Sequence, residues 1–214
     1  MKTNNTLIRN RCTLRGRIEY REVIHAHGQP VELIIFVKTD VGDGTFTWIP
    51  CAINWDRLRP AEIRLKKGDW VTVFGTLESS ERDGIMWIET QNLERVTRTT
   101  EKKYINRAVL QGTMVEGGCL LDKGKPVMAD FLLGVGDPAG DYLEVDCLAG
   151  VSVRDFISCI NRGQVQVSGR LNAVIPEDRD KGKWNIFVDV TEMNPLQASA
   201  GCARKGNGGD RDDS

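Results

Sequence analysis

Histidine and closely spaced cysteine are what this chain has least of, and their scarcity removes several chemistries at once. His25 and His27 are the whole histidine complement of the 214 residues. They form a His-x-His pair in a loop after the first periodic segment, with no third ligand at a spacing that would complete a site, so no metal is expected. The six cysteines, Cys12, Cys51, Cys119, Cys147, Cys159 and Cys202, include no Cys-x-x-Cys. That excludes a zinc knuckle or thiol-exchange centre of this kind and leaves structural thiols. No apolar run approaches the ~20 residues that cross a bilayer. The opening stretch from Met1 to Arg9 lacks the apolar core of a secretory signal, so a cytoplasmic, nucleoid-associated location with no membrane contact is expected. A Ser-His-Asp order, a phosphate-cradling glycine loop and an isolated carboxylate pair are missing too, so neither catalysis nor a cofactor is expected.

What is present is an ordinary globular composition, 40% hydrophobic and 28% charged, which excludes wholesale disorder. A net charge of −1 argues at first against a polyanionic partner. Its distribution argues the other way: residues 1–100 hold 15 Lys and Arg against 13 Asp and Glu, and the remainder 14 against 17. Positive potential belongs to the first half.

The halves are copies of one another. Arg11, Leu14, Gly16, Pro30 and Cys51 recur 96 positions later as Arg107, Leu110, Gly112, Pro126 and Cys147. Val73-Phe74-Gly75-Thr76-Leu77 recurs at an offset of 94 as Val167-Ser168-Gly169-Arg170-Leu171, and Trp87-Ile88-Glu89 at 100 as Phe187-Val188-Asp189. Period-2 alternation dominates each copy. In the first, Ile8, Cys12, Leu14 and Ile18 alternate with Arg9, Arg11, Arg15 and Arg17. Leu33 to Val37 reads as a strand covered on both sides. Thr45 to Ile53, Trp70 to Leu77 and Ile85 to Leu93 supply three more strands. A short helix opening at Pro60-Ala61-Glu62 lies between the third and fourth, with a counterpart expected over Val153 to Ile160. Five strands with a helix after the third is the OB arrangement. The sequence therefore predicts an all-β chain with short helices, two tandem five-stranded OB-fold barrels. Their bounds are 1–97, a linker over 98–103, 104–197, and a disordered Gly-rich acidic tail over 198–214.

The stretch Leu65-Lys-Lys-Gly-Asp-Trp-Val-Thr-Val-Phe-Gly-Thr-Leu77, followed by Asp83-Gly84, resembles the bacterial single-stranded DNA-binding proteins. Asn161-Arg-Gly-Gln-Val-Gln-Val-Ser-Gly-Arg-Leu171 is its second occurrence, and Asn106-Arg-Ala-Val-Leu-Gln-Gly112 is similar to that family's first strand. The order of these motifs, repeated over about 190 residues, carries the resemblance. It implies barrels that wrap single-stranded DNA, four to a particle, for which a homodimer of this chain suffices. The family's acidic tail ends in an apolar pair that docks replication and repair partners. Here the tail ends Gly209-Asp-Arg-Asp-Asp-Ser214 without that tip.

Non-specific single-strand binding needs cations along the phosphates and rings under the bases. Arg9, Arg11, Arg15 and Arg17 emerge on one face of the first strand, four cations with no interleaved carboxylate. In the third strand, inward Thr47, Ile49, Cys51 and Ile53 leave Phe46, Trp48, Pro50 and Ala52 outward, and Trp48 lies in the strand that carries a stacking tryptophan in the family. Trp55, Trp87, Lys66 and Lys67 are further candidates, whereas Trp70 reads as packing. In the second copy, Trp48 becomes Glu144 and Pro50 becomes Asp146, so the stripe Tyr142, Glu144, Asp146 repels phosphate. Arg179, Lys181, Lys183 and Trp184 form an auxiliary candidate before the final strand. The expected function is non-catalytic binding of single-stranded DNA in replication, recombination or repair. An adaptor contacting replication or recombination proteins, and an RNA-binding OB protein, are the alternatives.

Overall fold

The computed structural model describes residues 9–80, 85–123, 125–136, 142–150, 163–174 and 185–196. The expected helix over Val153 to Ile160, the tail from 198, and Arg179, Lys181, Lys183 and Trp184 lie outside the described residues.

Ten strands follow in chain order: β1 (Asn10–Ala26), β2 (Gln29–Gly42), β3 (Thr45–Asn54), β4 (Trp70–Ser79), β5 (Met86–Arg95), β6 (Ile105–Asp122), β7 (Lys125–Gly136), β8 (Tyr142–Ala149), β9 (Gln164–Val174) and β10 (Asn185–Pro195). The first five close in the order β1-β2-β3-β5-β4-β1, antiparallel except for a short parallel contact of Cys51 and Ala52 with Ile88 and Glu89. The last five close identically, β6-β7-β8-β10-β9-β6, with β8 and β10 parallel. This is the OB barrel, twice.

Each barrel closes because its first strand changes partner midway. Residues Cys12 to Arg17 pair with β4, and from Arg17 to Ala26 the same strand pairs with β2. The turn-over point is Gly16, where a Cβ would collide with the Lys38 carbonyl oxygen, and Gly112 stands in the same relation to the Gly134 carbonyl. A second repeated device needs an amide. Asn10 Nδ2 donates to the Leu77 carbonyl and its Oδ1 accepts from the Leu77 N–H, both at 2.9 Å. Asn106 does the same with Leu171 at 2.8 and 2.9 Å.

The barrels share one ten-stranded sheet, because Asn10 to Arg15 of β1 pairs antiparallel with Leu110 to Ile105 of β6. Cys12 faces Ala108 at the centre of that seam. These two residues are equivalents at the offset of 96, so the seam is a two-fold pairing of copies within one chain.

Alternation fills the cores. Cys12, Leu14 and Ile18, then Leu33, Ile35 and Val37, then Ile49, Cys51 and Ile53 are buried in the first barrel, as are Leu110, Leu133, Val145, Cys147 and Val167 in the second. Burying each large aliphatic side chain is worth roughly 1.5–3 kcal/mol. Burial pushes the Cys12 thiol up to about 12, and the Cys51 and Cys147 thiols also upward, so these groups stay protonated and act as core. One expectation needs correction. Leu33 to Val37 is not covered on both sides: Ile34 and Phe36 are half-buried on the outer face, their run being a one-sided strand whose outer positions happen to be apolar.

Between β3 and β4, a 3-10 turn (Trp55–Arg57) leads into α1 (Pro60–Ile63), with Pro60 opening the helix. The Glu62 carboxylate accepts from the Arg59 N–H at 2.7 Å and pairs with its guanidinium, which in turn donates to the Leu93 carbonyl at 2.8 Å. Leu65, buried after the helix, packs in the core.

Candidate nucleic-acid interface

Strand register decides which outward side chains stand side by side. In the first barrel Trp70 pairs with Arg17, Arg17 with Lys38, and Lys38 with Trp48, giving one row across β4, β1, β2 and β3. Rings beside cations are what base stacking with phosphate contact needs. The Lys38 ammonium lies 4.6 Å from the Phe46 ring centroid and 6.0 Å from that of Trp48, so it sits against both negative faces. Tyr104, from the stretch joining the barrels, closes the cluster at 5.0 Å from Phe46 and 4.8 Å from Trp70.

The next row is Tyr20, Phe36 and Pro50, with Trp87 beside Pro50 because the neighbouring Ile88 pairs with Cys51. Tyr20 and Phe36 meet edge to face at 5.6 Å. The Trp87 indole Nε1–H is buried and finds no acceptor among the described residues, a donor held at the interface. A third row, Glu22, Ile34, Ala52 and Glu89, ends the surface in carboxylates. Glu32 lies beyond it, its carboxyl raised above the usual range by burial and then by the Glu89 charge. The face thus runs from cationic through aromatic to acidic.

The candidates chosen from sequence fall in several places. Phe46 and Trp48 are half-buried on the outer face, while Pro50 and Ala52, also outward by alternation, are buried. Arg17 is exposed in the row, next to the Lys66–Gly68 turn; Lys66 and Lys67 are exposed there, and Lys67 is 3.7 Å from Glu19. Arg15 is tied down: Nε donates to Thr72 Oγ1 at 2.8 Å and Nη1 to the Glu101 carbonyl at 3.2 Å. Arg9 and Arg11 lie at the seam, lining a groove with Arg107 and Glu192, and Arg9 donates to Gln166 Oε1 at 3.1 Å. Trp55 is half-buried against the core. Trp70 does pack, but on the outer face against Tyr104.

Lys38 and Tyr104 escaped the sequence reading. Lys38 continues the Ile34, Phe36 alternation and would have been found had β2 been read as one-sided. Tyr104 has no periodic signal.

In the second barrel the equivalent rows are Gln164, Thr113, Gly134, Glu144; then Glu116, Leu132, Asp146, Phe187; then Gly118, Asp130, Leu148, Asp189. They hold five carboxylates and neither Lys nor Arg. Tyr142 is raised above the ordinary phenol range, by burial first and then by the Glu144 charge. Among the described residues no three His, Cys, Asp or Glu side chains are grouped as a metal ion would need, and no helix is long and apolar enough to cross a membrane.

No protein-family model matches the chain, and no curated protein matches it. Among solved structures, the chain is similar to the wild-type single-stranded DNA-binding protein from Thermus aquaticus, with a TM-score of 0.69 and 16% identity over 92% of this chain and 97% of that one. A deletion mutant of the same T. aquaticus protein matches with a TM-score of 0.66 and 15% identity, over 89% of this chain and 96% of that one. At such identity the likeness establishes the fold: tandem OB barrels along nearly the whole chain.

Proposed function

We propose that this chain binds single-stranded DNA without catalysis, in replication, recombination or repair, and that residues 1–97 carry the binding, with 98–103 joining them to a divergent copy over 104–197. The observation that carries the reading is the row Trp70, Arg17, Lys38, Trp48 with Phe46 and Tyr104 beside it. Bases stack on the rings while phosphates meet Arg17 and Lys38. Location in the cytoplasm with the nucleoid follows from that partner. Titrating the intrinsic tryptophan fluorescence with poly(dT), poly(U) and duplex DNA tests it. Quenching by poly(dT) in preference to the others is expected, and Trp48→Ala should cost roughly 1–3 kcal/mol of binding. Equal response to poly(U) transfers the reading to RNA, and no response to either polymer defeats it.

The particle is a homodimer, since two chains supply the four barrels that the family resemblance implies. Light scattering should return twice the chain mass of 23.9 kDa. A monomer at every concentration removes this proposal.

A further inference from the structure

The β6–β7 hairpin carries an apolar surface that no described residue covers. On its outer side Leu120 pairs with Met128, two strand positions beyond the Gly118–Asp130 pair and four beyond Glu116–Leu132. Leu120 is 53% exposed and Met128 37%, where the equivalent pair of the first barrel is the half-buried Ile24 and Glu32. An exposed apolar patch rimmed by polar residues is the form a contact surface takes. The same face continues into a groove of about 520 Å³ whose sides are Glu116, Asp130, Leu132 and Asp146. At Gly118, in its floor, a Cβ would meet nothing within 4 Å, so there is open space for an incoming side chain.

The carboxylates decide what fits. A nucleic-acid strand is repelled by three like charges around the groove. A second copy placed face to face is repelled as well, because a two-fold contact sets a patch against itself and would bring these carboxylates together. A cation followed by an aliphatic group satisfies both parts: the first in the groove, the second on Leu120 and Met128. We infer that the outer face of the β6–β7 hairpin docks an extended protein segment in which a Lys or Arg and an aliphatic residue stand two positions apart. Residues two apart on an extended chain point to the same face, so such a pair meets the groove and the Leu120–Met128 pair at the spacing of the rows. Charge complementarity here sets the choice of partner and speeds encounter, and the aliphatic contact holds it.

The test uses the full chain and fluorescence anisotropy of a labelled synthetic peptide repeating Lys-Ser-Leu-Ser (the Lys/Leu peptide), with Lys-Ser-Ser-Ser (Lys/Ser) and Glu-Ser-Leu-Ser (Glu/Leu) repeats as comparators. The Lys/Leu peptide should bind, and a dT oligonucleotide should not displace it. Glu116→Gln with Asp130→Asn, and separately Leu120→Ser with Met128→Ser, should each weaken it at least tenfold, while circular dichroism shows both variants folded. Failure of the Lys/Leu peptide to bind, equal binding to wild type and variants, or displacement by dT overturns the proposal. So does a mass in light scattering that falls when Leu120 and Met128 become serine, since the face then belongs to a second copy.

Discussion

Among the described residues the two barrels share their crossing glycine, their asparagine clamp and their strand order, and almost none of their outer chemistry. Gly16 and Gly112 let the first strand cross, Asn10 and Asn106 clamp it to its neighbour, and the five-strand closure is the same. Twelve outward positions related by register tell the opposite story. The first barrel places five aromatic rings, two cations and two carboxylates there; the second has one ring, no cation and five carboxylates. Inward residues are held by packing density and closure, which penalise a change of volume or a buried polar atom. Outward residues are held only by what they touch. Inward residues differ as well, Leu33 against Ala129 and Thr47 against Leu143, but remain buried, whereas the outward set changes charge, which on the proposed function means one scaffold meeting different partners.

The comparison breaks or stands on copying the second barrel's row of Thr113 and Glu144 onto the first barrel. Arg17→Thr with Trp48→Glu reproduces the Thr113 and Glu144 chemistry on an otherwise intact first barrel. A stacked base is worth roughly 1–3 kcal/mol, and a phosphate contact is lost and a repulsion added besides. Affinity for a dT oligonucleotide should fall by about a hundredfold or more, each 1.4 kcal/mol being about tenfold. The reverse change, Glu144→Trp with Asp146→Lys, should gain only a fewfold. A lysine at Gly134, the equivalent of Lys38, would have to displace the Tyr142 ring, which occupies the space of its Cβ. An affinity unchanged by the first pair would mean that the row does not bind.

Sequence carried the scaffold because its rules are local. Period-2 alternation placed Cys12, Leu14 and Ile18 of β1 and Thr47, Ile49, Cys51 and Ile53 of β3 inward, where they are buried, and offsets of 94 to 100 exposed the duplication. Which outward residues become neighbours is not local. Trp70, Arg17, Lys38 and Trp48 lie on four strands, and their row depends on register fixed by turns and by the crossing at Gly16. Lys38 was hidden by apolar Ile34 and Phe36, which made β2 look buried on both sides. Tyr104 was hidden by its place in a polar connection. Arg11, Arg15 and Arg17 of β1, with Arg9 just before it, do share one outward face, yet alternation could not say that Arg15 is spent on Thr72 and Glu101.

That last difference gives the finest test of the comparison, within a single strand. Arg15 and Arg17 are two residues apart and point the same way, and in the second barrel their equivalents are Gln111 and Thr113, so both cations are features of the first barrel alone. Each phosphate neutralised on a single strand contributes about −0.7 to the slope of log K against log salt. Arg17 is exposed with no ion-pair partner among the described residues, so its guanidinium is available to a phosphate. Arg17→Ala should flatten the slope by about 0.7. Arg15 already donates to a hydroxyl and to a carbonyl of the joining stretch, so Arg15→Ala should leave the slope unchanged. It should instead cost about 1 kcal/mol of folding stability through its lost hydrogen bonds. Binding isotherms over a salt series, with a denaturant titration of each variant, separate the two. Equal flattening by both variants would restore the stripe as a uniform phosphate track, and flattening by Arg15→Ala alone would move the binding path off the row and toward the seam, where Arg9, Arg11 and Arg107 line a groove of their own.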